Sequence, residues 1–268
     1  MRTILILVLE SVIVVVLKSE AELATMREAG RIVARILAAT AQAAQPGVRL
    51  VELDELAADL MATYGAKSSF LSYHPAWAPT PYPAVLCLSV NEAIVHGIPD
   101  ERVLAPGDLL SIDCGVQVDG LHGDAAITVP VGEVDAAARR LSDTTARALD
   151  AAIAAARVGG RLGDVSHAVE VVGRGARYGI PRGLGGHGVG TAMHEEPSVP
   201  NTGRPGRGLR LAAGLVLAIE PMFLESGRDG HRVLTDGWTV VTADGSRAAH
   251  WEHTIAITAE GPVILTAP

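Results

Sequence analysis

The 268-residue sequence lacks three features, each of which would place it in a distinct class of protein. It has two cysteines, Cys87 and Cys114, which are too few for a disulfide framework and suit a reducing cytoplasm. It has no surplus of positive charge, since 22 basic and 30 acidic residues give a formal net charge of -8. This balance argues against a protein that is held on DNA or RNA by phosphate contacts. Hydrophobic residues make up 49% of the chain, as in an ordinary folded protein.

The third missing feature is an uninterrupted run of about 20 apolar residues, which a membrane-spanning helix needs. Residues 1–18 are rich in branched aliphatic side chains, but Glu10 and Ser11 divide them into the stretches 4–9 and 12–17. The β-branched residues of the second stretch favour a strand. We therefore expect surface or edge strands in residues 1–18, without a signal peptide or membrane anchor, and a single domain in residues 19–268.

The rest of the chain alternates between helical and strand patterns. Ser19 and Glu22 have the spacing of a capping box, and they predict the start of a helix that Pro46 and Gly47 end. Further helices are predicted over 51–64, 136–158 and 162–178, and strands over 84–90, 109–113, 123–129, 215–220, 238–241 and 250–258. These elements indicate an α+β fold.

Two short segments of the chain repeat one pattern. Residues 107–113 and 214–220 share glycine, leucine, isoleucine and a final acid in the same register. Each copy follows a pair of predicted helices and ends in a carboxylate, Asp113 or Glu220. We interpret the repeat as two halves of similar plan, each of which delivers an acid to a shared site.

A predicted hairpin brings Asp113 close to a second aspartate, Asp124. If Asp119 and Gly120 form its two-residue turn, Gly115 pairs with Asp124. Both aspartates then point to the same face, about 7 to 8 Å apart at the backbone, and can reach a common ion. They could instead be solvent-facing acids, but the apolar strand before Asp113 predicts a buried carboxylate that needs a cation or hydrogen-bond donors.

Two further acids at strand ends, Glu220 and Glu252, present the same problem. With one imidazole, from His187 or His194, the set suits a site for two metal ions. Four carboxylates would balance two divalent cations, whereas without them the carboxylates would repel one another or take up protons. Oxygen ligands with one nitrogen suit manganese, iron or cobalt at least as well as zinc.

Seven short motifs in this order resemble those of the type I methionine aminopeptidases. The motifs are Val90-Asn91-Glu92 with His96-Gly97-Ile98-Pro99, Ser111-Ile112-Asp113-Cys114-Gly115, His122-Gly123-Asp124, Gly186-His187-Gly188-Val189-Gly190, His194-Glu195-Glu196-Pro197, Ile219-Glu220-Pro221-Met222 and Glu252-His253-Thr254. The resemblance covers about residues 19–267. It implies a pita-bread fold, in which two αβ halves related by a pseudo-twofold axis enclose a dinuclear metal site with a central antiparallel sheet.

The resemblance also implies a role for each residue of the site. Its metal ligands would be Asp113, Asp124, His187, Glu220 and Glu252, with Asp124 and Glu252 bridging two divalent ions of cobalt, manganese, iron or zinc. A hydroxide between the ions would attack the scissile carbonyl, which is the backbone carbonyl of the first methionine. His194 would bond the developing oxyanion, His96 would contact the scissile amide nitrogen, and Glu220 would move a proton.

The methionine pocket that the family implies contains mainly apolar side chains beside the two histidines. It comprises Phe70, Tyr73, Tyr82, Cys87, His96, Met193, His194 and Trp238. The distance from Tyr73 to Tyr82 is about six residues longer than is usual in the family, so the segment from Pro75 to Pro81 resembles an insertion at the pocket rim.

The expected function is removal of the initiator methionine from nascent polypeptides with a small second residue, by a cytoplasmic monomer that binds neither DNA nor membrane. Arg204, Arg207 and Arg210 could contact ribosomal RNA, although a solvated loop is the favoured interpretation. Alternatives are an X-Pro aminopeptidase or prolidase of the same fold and a metal-free peptide-binding module. The complete ligand set argues against the last of these.

Overall fold

The computed structural model describes residues 2–8 and 11–268, with side chains from residue 14 onward. Its helices are α1 (Glu20–Ala43), α2 (Leu50–Thr63), α3 (Ala136–Ala155) and α4 (Leu162–Gly175). Its strands are β1 (Arg2–Val8), β2 (Ser11–Leu17), β3 (Lys67–Ser68), β4 (Leu86–Val90), β5 (Ala93–Val95), β6 (Leu109–Val118), β7 (Leu121–Pro130), β8 (Gly185–Gly188), β9 (Glu195–Pro200), β10 (Val216–Ile219), β11 (Met222–Leu224), β12 (His231–Val233), β13 (Val240–Thr242), β14 (Ala248–His250), β15 (Glu252–Thr258) and β16 (Gly261–Ile264).

The four predicted helices are present, with small differences at their ends. The capping box is confirmed. Ser19 Oγ accepts a hydrogen bond from the backbone amide of Glu22 at 3.3 Å, and the Glu22 carboxylate accepts one from the backbone amide of Ser19 at 2.7 Å. Helices α3 and α4 each end three residues before the predicted position. The chain leaves the helical conformation there, with left-handed backbone at Gly159 (φ 86°) and Arg177 (φ 64°).

A nine-stranded antiparallel sheet forms the centre of the molecule. Its strands run in the order β3, β6, β7, β15, β10, β8, β9, with β4 also beside β6 and β16 also beside β15. The predicted hairpin register is confirmed, since Val118 pairs with Leu121 and Gly115 with Asp124. Both hairpin strands are longer than predicted because the pairing continues as far as the turn.

The helices cover the sheet in two groups, as the repeat predicts. Helices α1 and α2 share a buried apolar cluster with β6, which includes Ile36, Leu53 and Ile112. Helices α3 and α4 share a second cluster with β10, which includes Leu149 and Leu217. The two repeated segments thus supply corresponding strands of the two halves.

The other predicted strands differ from the structure mainly in their limits. Strand β15 begins at Glu252 because His250 belongs to β14, which pairs with β11 in a separate sheet. Predicted strand 238–241 begins two residues later, at Val240, because Trp238 lies in a turn closed by Asp236. Strands β3, β5, β8, β9, β11, β12 and β16 were not predicted, because segments of two to six residues carry too little alternation.

The strands expected in the N-terminal segment are present as the antiparallel hairpin of β1 and β2. The predicted stretch 4–9 includes Leu9, which lies outside the described residues. Val15 is buried in the cluster of the second half, and Lys18 Nζ lies 2.7 Å from Glu195 Oε2. In the part of the chain that the structure describes, every helix is too short or too polar to cross a membrane.

Candidate metal centre

Three of the candidate ligands face the same side of the sheet because of the strand register. Asp113 pairs with Ala126, and Ala126 pairs with Glu252, so these residues form a line across β6, β7 and β15. Asp124 lies two residues before Ala126. Since side chains alternate along a strand, Asp113, Asp124 and Glu252 project from one face.

The other two candidate ligands, His187 and Glu220, reach this face through β8 and β10. His187 pairs with Ala218, and Ala218 pairs with Thr254, which lies two residues after Glu252. Glu220 lies two residues beyond Ala218, immediately after β10. Paired residues share a face, and so do residues two apart along a strand. His187 and Glu220 therefore lie on the face that carries the other acids.

The five side chains line one cavity of about 220 Å³. His187 Nε2 lies 3.9 Å from Asp124 Oδ2 and 3.8 Å from Glu220 Oε1. Asp124, His187 and Glu252 each offer one ligand atom, and these three atoms lie within 4.8 Å of one another. The arrangement brings four carboxylates and an imidazole to the wall of one cavity.

The carboxylates are buried, and their protonation reflects that burial. Burial raises the pKa of Asp113 to about 7. Burial and the neighbouring acids also raise the pKa values of Asp124 and Glu252 well above their ordinary range. Glu220 differs, because although burial opposes ionisation, contacts with His250 and His187 hold its pKa below the ordinary value. Without cations, most of this cluster can therefore be neutralised only by taking up protons.

The chemistry of this donor set fits divalent cations. Asp113 Oδ1, Asp124 Oδ1 and Glu252 Oε1 are buried oxygens without a hydrogen-bond partner among the described residues. Such atoms are costly unless a cation or a donor satisfies them. His187 Nδ1 lies 2.9 Å from the carbonyl of Gly188, so a proton on Nδ1 leaves Nε2 free to bind a metal.

Two histidines outside the proposed ligand set line the same cavity. His96 follows β5 with a left-handed backbone (φ 59°), and desolvation of its ring lowers its pKa to about 4. The ring of His194 lies 4.1 Å from that of His187 and is stacked on Tyr73 at 5.2 Å. Desolvation, followed by the proximity of His187, lowers the pKa of His194. Both rings are therefore neutral near pH 7 and can donate or accept a hydrogen bond.

The predicted apolar pocket adjoins the carboxylates in this cavity. All six predicted apolar side chains line it, namely Phe70, Tyr73, Tyr82, Cys87, Met193 and Trp238. The hydroxyl of Tyr82 lies 3.0 Å from the carbonyl oxygen of Leu86 and 2.9 Å from that of Gly97, and sharing its one proton with these acceptors fixes the ring. Cys87 and Cys114 are buried free thiols, as the low cysteine count predicts.

Sequence reasoning missed two residues of this region, Trp77 and His250. Trp77 lines the cavity, but its proline-rich surroundings carry no periodicity that shows which way it points. His250 Nε2 lies 3.3 Å from Glu220 Oε2 and 3.9 Å from Glu252 Oε2. Its position two residues before Glu252 is a signal in the sequence. The change from one sheet to another at Trp251, which brings His250 beside Glu220, has no such signal.

Comparisons with known proteins show the family to which this chain belongs. The model of metallopeptidase family M24 matches residues 24–259. Methionine aminopeptidase 1 of Mycobacterium tuberculosis is 53% identical over 256 residues, which cover 93% of this chain and 94% of that protein.

Solved structures show the same fold. The crystal structure of a methionine aminopeptidase from Thermotoga maritima has a TM-score of 0.91 and 40% identity, covering 95% of this chain and all of that one. An Xaa-Pro dipeptidase from Bacillus anthracis, at 21% identity and a TM-score of 0.75, shares the fold over 94% of this chain and 62% of its own. The chain therefore belongs to metallopeptidase family M24 and, within it, to the bacterial type I methionine aminopeptidases.

Proposed function

We propose that this chain removes the initiator methionine from nascent polypeptides whose second residue is small. Its family membership makes it a metal-dependent methionine aminopeptidase. One observation carries the finer proposal: the buried carboxylates, both neutral histidines and the apolar side chains line a single cavity. With its side chain in the apolar part of the cavity, a methionine residue would present its backbone carbonyl to the polar part.

For the metal site, we infer that two divalent ions are held by Asp113, Asp124, His187, Glu220 and Glu252. Asp124 and Glu252 would bind both ions, His187 and Glu220 one of them, and Asp113 the other. The buried oxygens without partners and the formal charge of −4 on the ionised carboxylates support this assignment. The oxygen-rich set suits manganese, iron or cobalt at least as well as zinc. Such ions would supply a Lewis acid for the scissile carbonyl and a water activated for attack near neutral pH.

The chain's own residues would orient the peptide and move its protons. Neutral His194 donates a hydrogen bond to the oxygen on which negative charge develops, and His96 contacts the scissile amide nitrogen. Glu220 carries a proton from the attacking water to the leaving amine. The apolar rings beside them exclude water and hold the methionine thioether.

We further propose that residues 19–268 form one catalytic domain, with the N-terminal segment packed against its second half, and that the chain acts as a cytoplasmic monomer. The two buried free thiols suit a reducing compartment. Arg204, Arg207 and Arg210 are exposed in the loop before β10. This exposure fits a solvated loop, which the sequence favours over a contact with ribosomal RNA.

Peptide hydrolysis with controlled metal content tests this function. The chain is stripped with a chelator, reloaded with cobalt, manganese, iron or zinc, and assayed on Met-Ala-Ser and Ala-Pro-Ser. We expect metal to restore cleavage of Met-Ala-Ser, at a rate at least about 10²-fold above that of Ala-Pro-Ser. Preference for Ala-Pro-Ser would favour an X-Pro aminopeptidase, cleavage of only the dipeptide Ala-Pro would favour a prolidase, and inactivity on all of these with every metal would favour a binding module.

A further inference from the structure

The proline-rich loop of residues 74–81 is anchored at the mouth of the catalytic cavity. Trp238 Nε1 donates to the carbonyl of Thr80 at 3.0 Å. The ring of Pro79 lies against Gly237, whose backbone is left-handed (φ 79°), and a side chain at Gly237 would collide with that ring. Ala78, at the centre of the loop, is buried in the apolar cluster of the pocket. These contacts fix the position of the residue beside Ala78, which is Trp77.

Trp77 is held by other rings but remains open to solvent. Its indole lies 6.3 Å from the ring of His96, at an interplanar angle of 21°, and 5.0 Å from Trp238, at 66°. These separations are typical of favourable aromatic pairs. Trp77 is nevertheless 61% exposed, whereas Tyr82 and Trp238 in the same cavity are 2% and 4% exposed. The indole is therefore positioned by the protein while most of its surface is available to a ligand.

We propose that Trp77 determines which second residues the enzyme accepts, by forming the outer wall of the site for that residue. This inference rests on the proposed function, in which His96 contacts the scissile amide nitrogen. That nitrogen belongs to the second residue, so a ring stacked beside His96 lies next to the side chain of that residue. A methyl or hydroxymethyl group fits between the indole and the carboxylates, whereas a branched or long side chain collides with the indole and displaces the carbonyl.

A comparison of second residues in variants of the loop tests this assignment. Trp77→Ala is compared with Leu71→Ala, since Leu71 is also exposed, at 51%, but does not line the cavity. Metal-loaded enzyme is assayed on Met-Ala-Ser, Met-Val-Ser and Met-Leu-Ser. We expect Trp77→Ala to lower the kcat/KM preference for Met-Ala-Ser over the other two peptides at least about tenfold. The preference of Trp77→Phe should fall between those of Trp77→Ala and the unmodified chain, and Leu71→Ala should keep the preference of the unmodified chain within about twofold.

Two further measurements distinguish a Trp77 that limits the size of the second residue from one that only holds the catalytic groups in place. Inhibition by free methionine should change less than about threefold in Trp77→Ala, because the thioether lies among Phe70, Tyr82 and Trp238. The kcat values on the three peptides should also change unequally, because only the larger second residues meet the indole. A preference that is unchanged in Trp77→Ala, or an equal loss of kcat on all three peptides, would overturn the proposal. Absence of methionyl-peptide cleavage by the metal-loaded unmodified chain would instead contradict the proposed function.

Discussion

Replacing Asp113 by asparagine should stabilise the metal-free protein while abolishing its activity. In the metal-free chain, burial raises the pKa of this carboxyl to about 7, compared with an ordinary value of 3.8. The folded chain therefore keeps a proton up to about pH 7 that the unfolded chain releases near pH 4. Folding stability must fall as the pH rises between these two values, because the folded state binds more protons there.

The size of the effect follows from the two pKa values. Each pKa unit corresponds to about 1.4 kcal/mol, so the difference is worth about 4 kcal/mol above pH 7. Because four neighbouring acids share the protons, this is an upper bound for one residue. Asparagine has the same shape and no charge, so at pH 8 the metal-free variant should be about 2 to 4 kcal/mol more stable. For a chain of this length, Tm should rise by about 5 to 15 °C.

The assay is thermal and urea unfolding of chelator-treated protein at pH 5 and pH 8. At pH 5 the variant should be more stable by at most about 1.5 kcal/mol, because that pH lies only about one unit above the unfolded pKa, and its advantage should grow as the pH rises to 8. Asp108→Asn is the matched control, since Asp108 is also buried but accepts hydrogen bonds from Asn91 Nδ2 at 2.7 Å and the Ala105 amide at 2.9 Å. That variant should lose stability. A metal-free Asp113→Asn protein no more stable than the unmodified chain at pH 8 would refute the reasoning.

Three further predictions concern catalysis. His194→Ala should lower kcat about 10² to 10³-fold with metal content unchanged, as measured by peptide kinetics and metal analysis. Loss of metal would instead make His194 a ligand, and a rise in KM alone would limit the residue to substrate binding. Glu252→Ala should leave a folded protein that cleaves Met-Ala-Ser at less than about a tenth of the original rate, because the variant loses one of the four carboxylates proposed to hold the two cations. Met-Ala, Met-Gly and Met-Ser peptides should be cleaved at least about 10²-fold faster than Met-Leu or Met-Lys peptides, and equal kcat/KM values would reject a crowded second-residue site.

Local rules were enough to predict the elements that carry the acids. The Asp119-Gly120 turn fixed the hairpin register, and the register placed Asp113 and Asp124 on one face. The repeat over 107–113 and 214–220 located the central strands of both halves. Both inferences depend on interactions between residues close in sequence or on a repeated pattern, and the structure confirms them.

Features set by distant contacts could not be predicted in this way. The direction of Trp77 depends on Pro79 packing against Gly237, far along the chain. The place of His250 beside Glu220 depends on the change of sheet between β14 and β15. No local pattern encodes either contact, and the choice of His187 over His194 as the imidazole ligand likewise came only from the resemblance to a family.

The central claim is that five side chains of this cavity hold two divalent ions. Anomalous diffraction from crystals of active, manganese-loaded protein tests it directly. We expect two peaks within the cavity, each about 2.0 to 2.3 Å from its ligands among Asp113, Asp124, His187, Glu220 and Glu252. Ions bound elsewhere, or fully active crystals with no ion at these five residues, would contradict it.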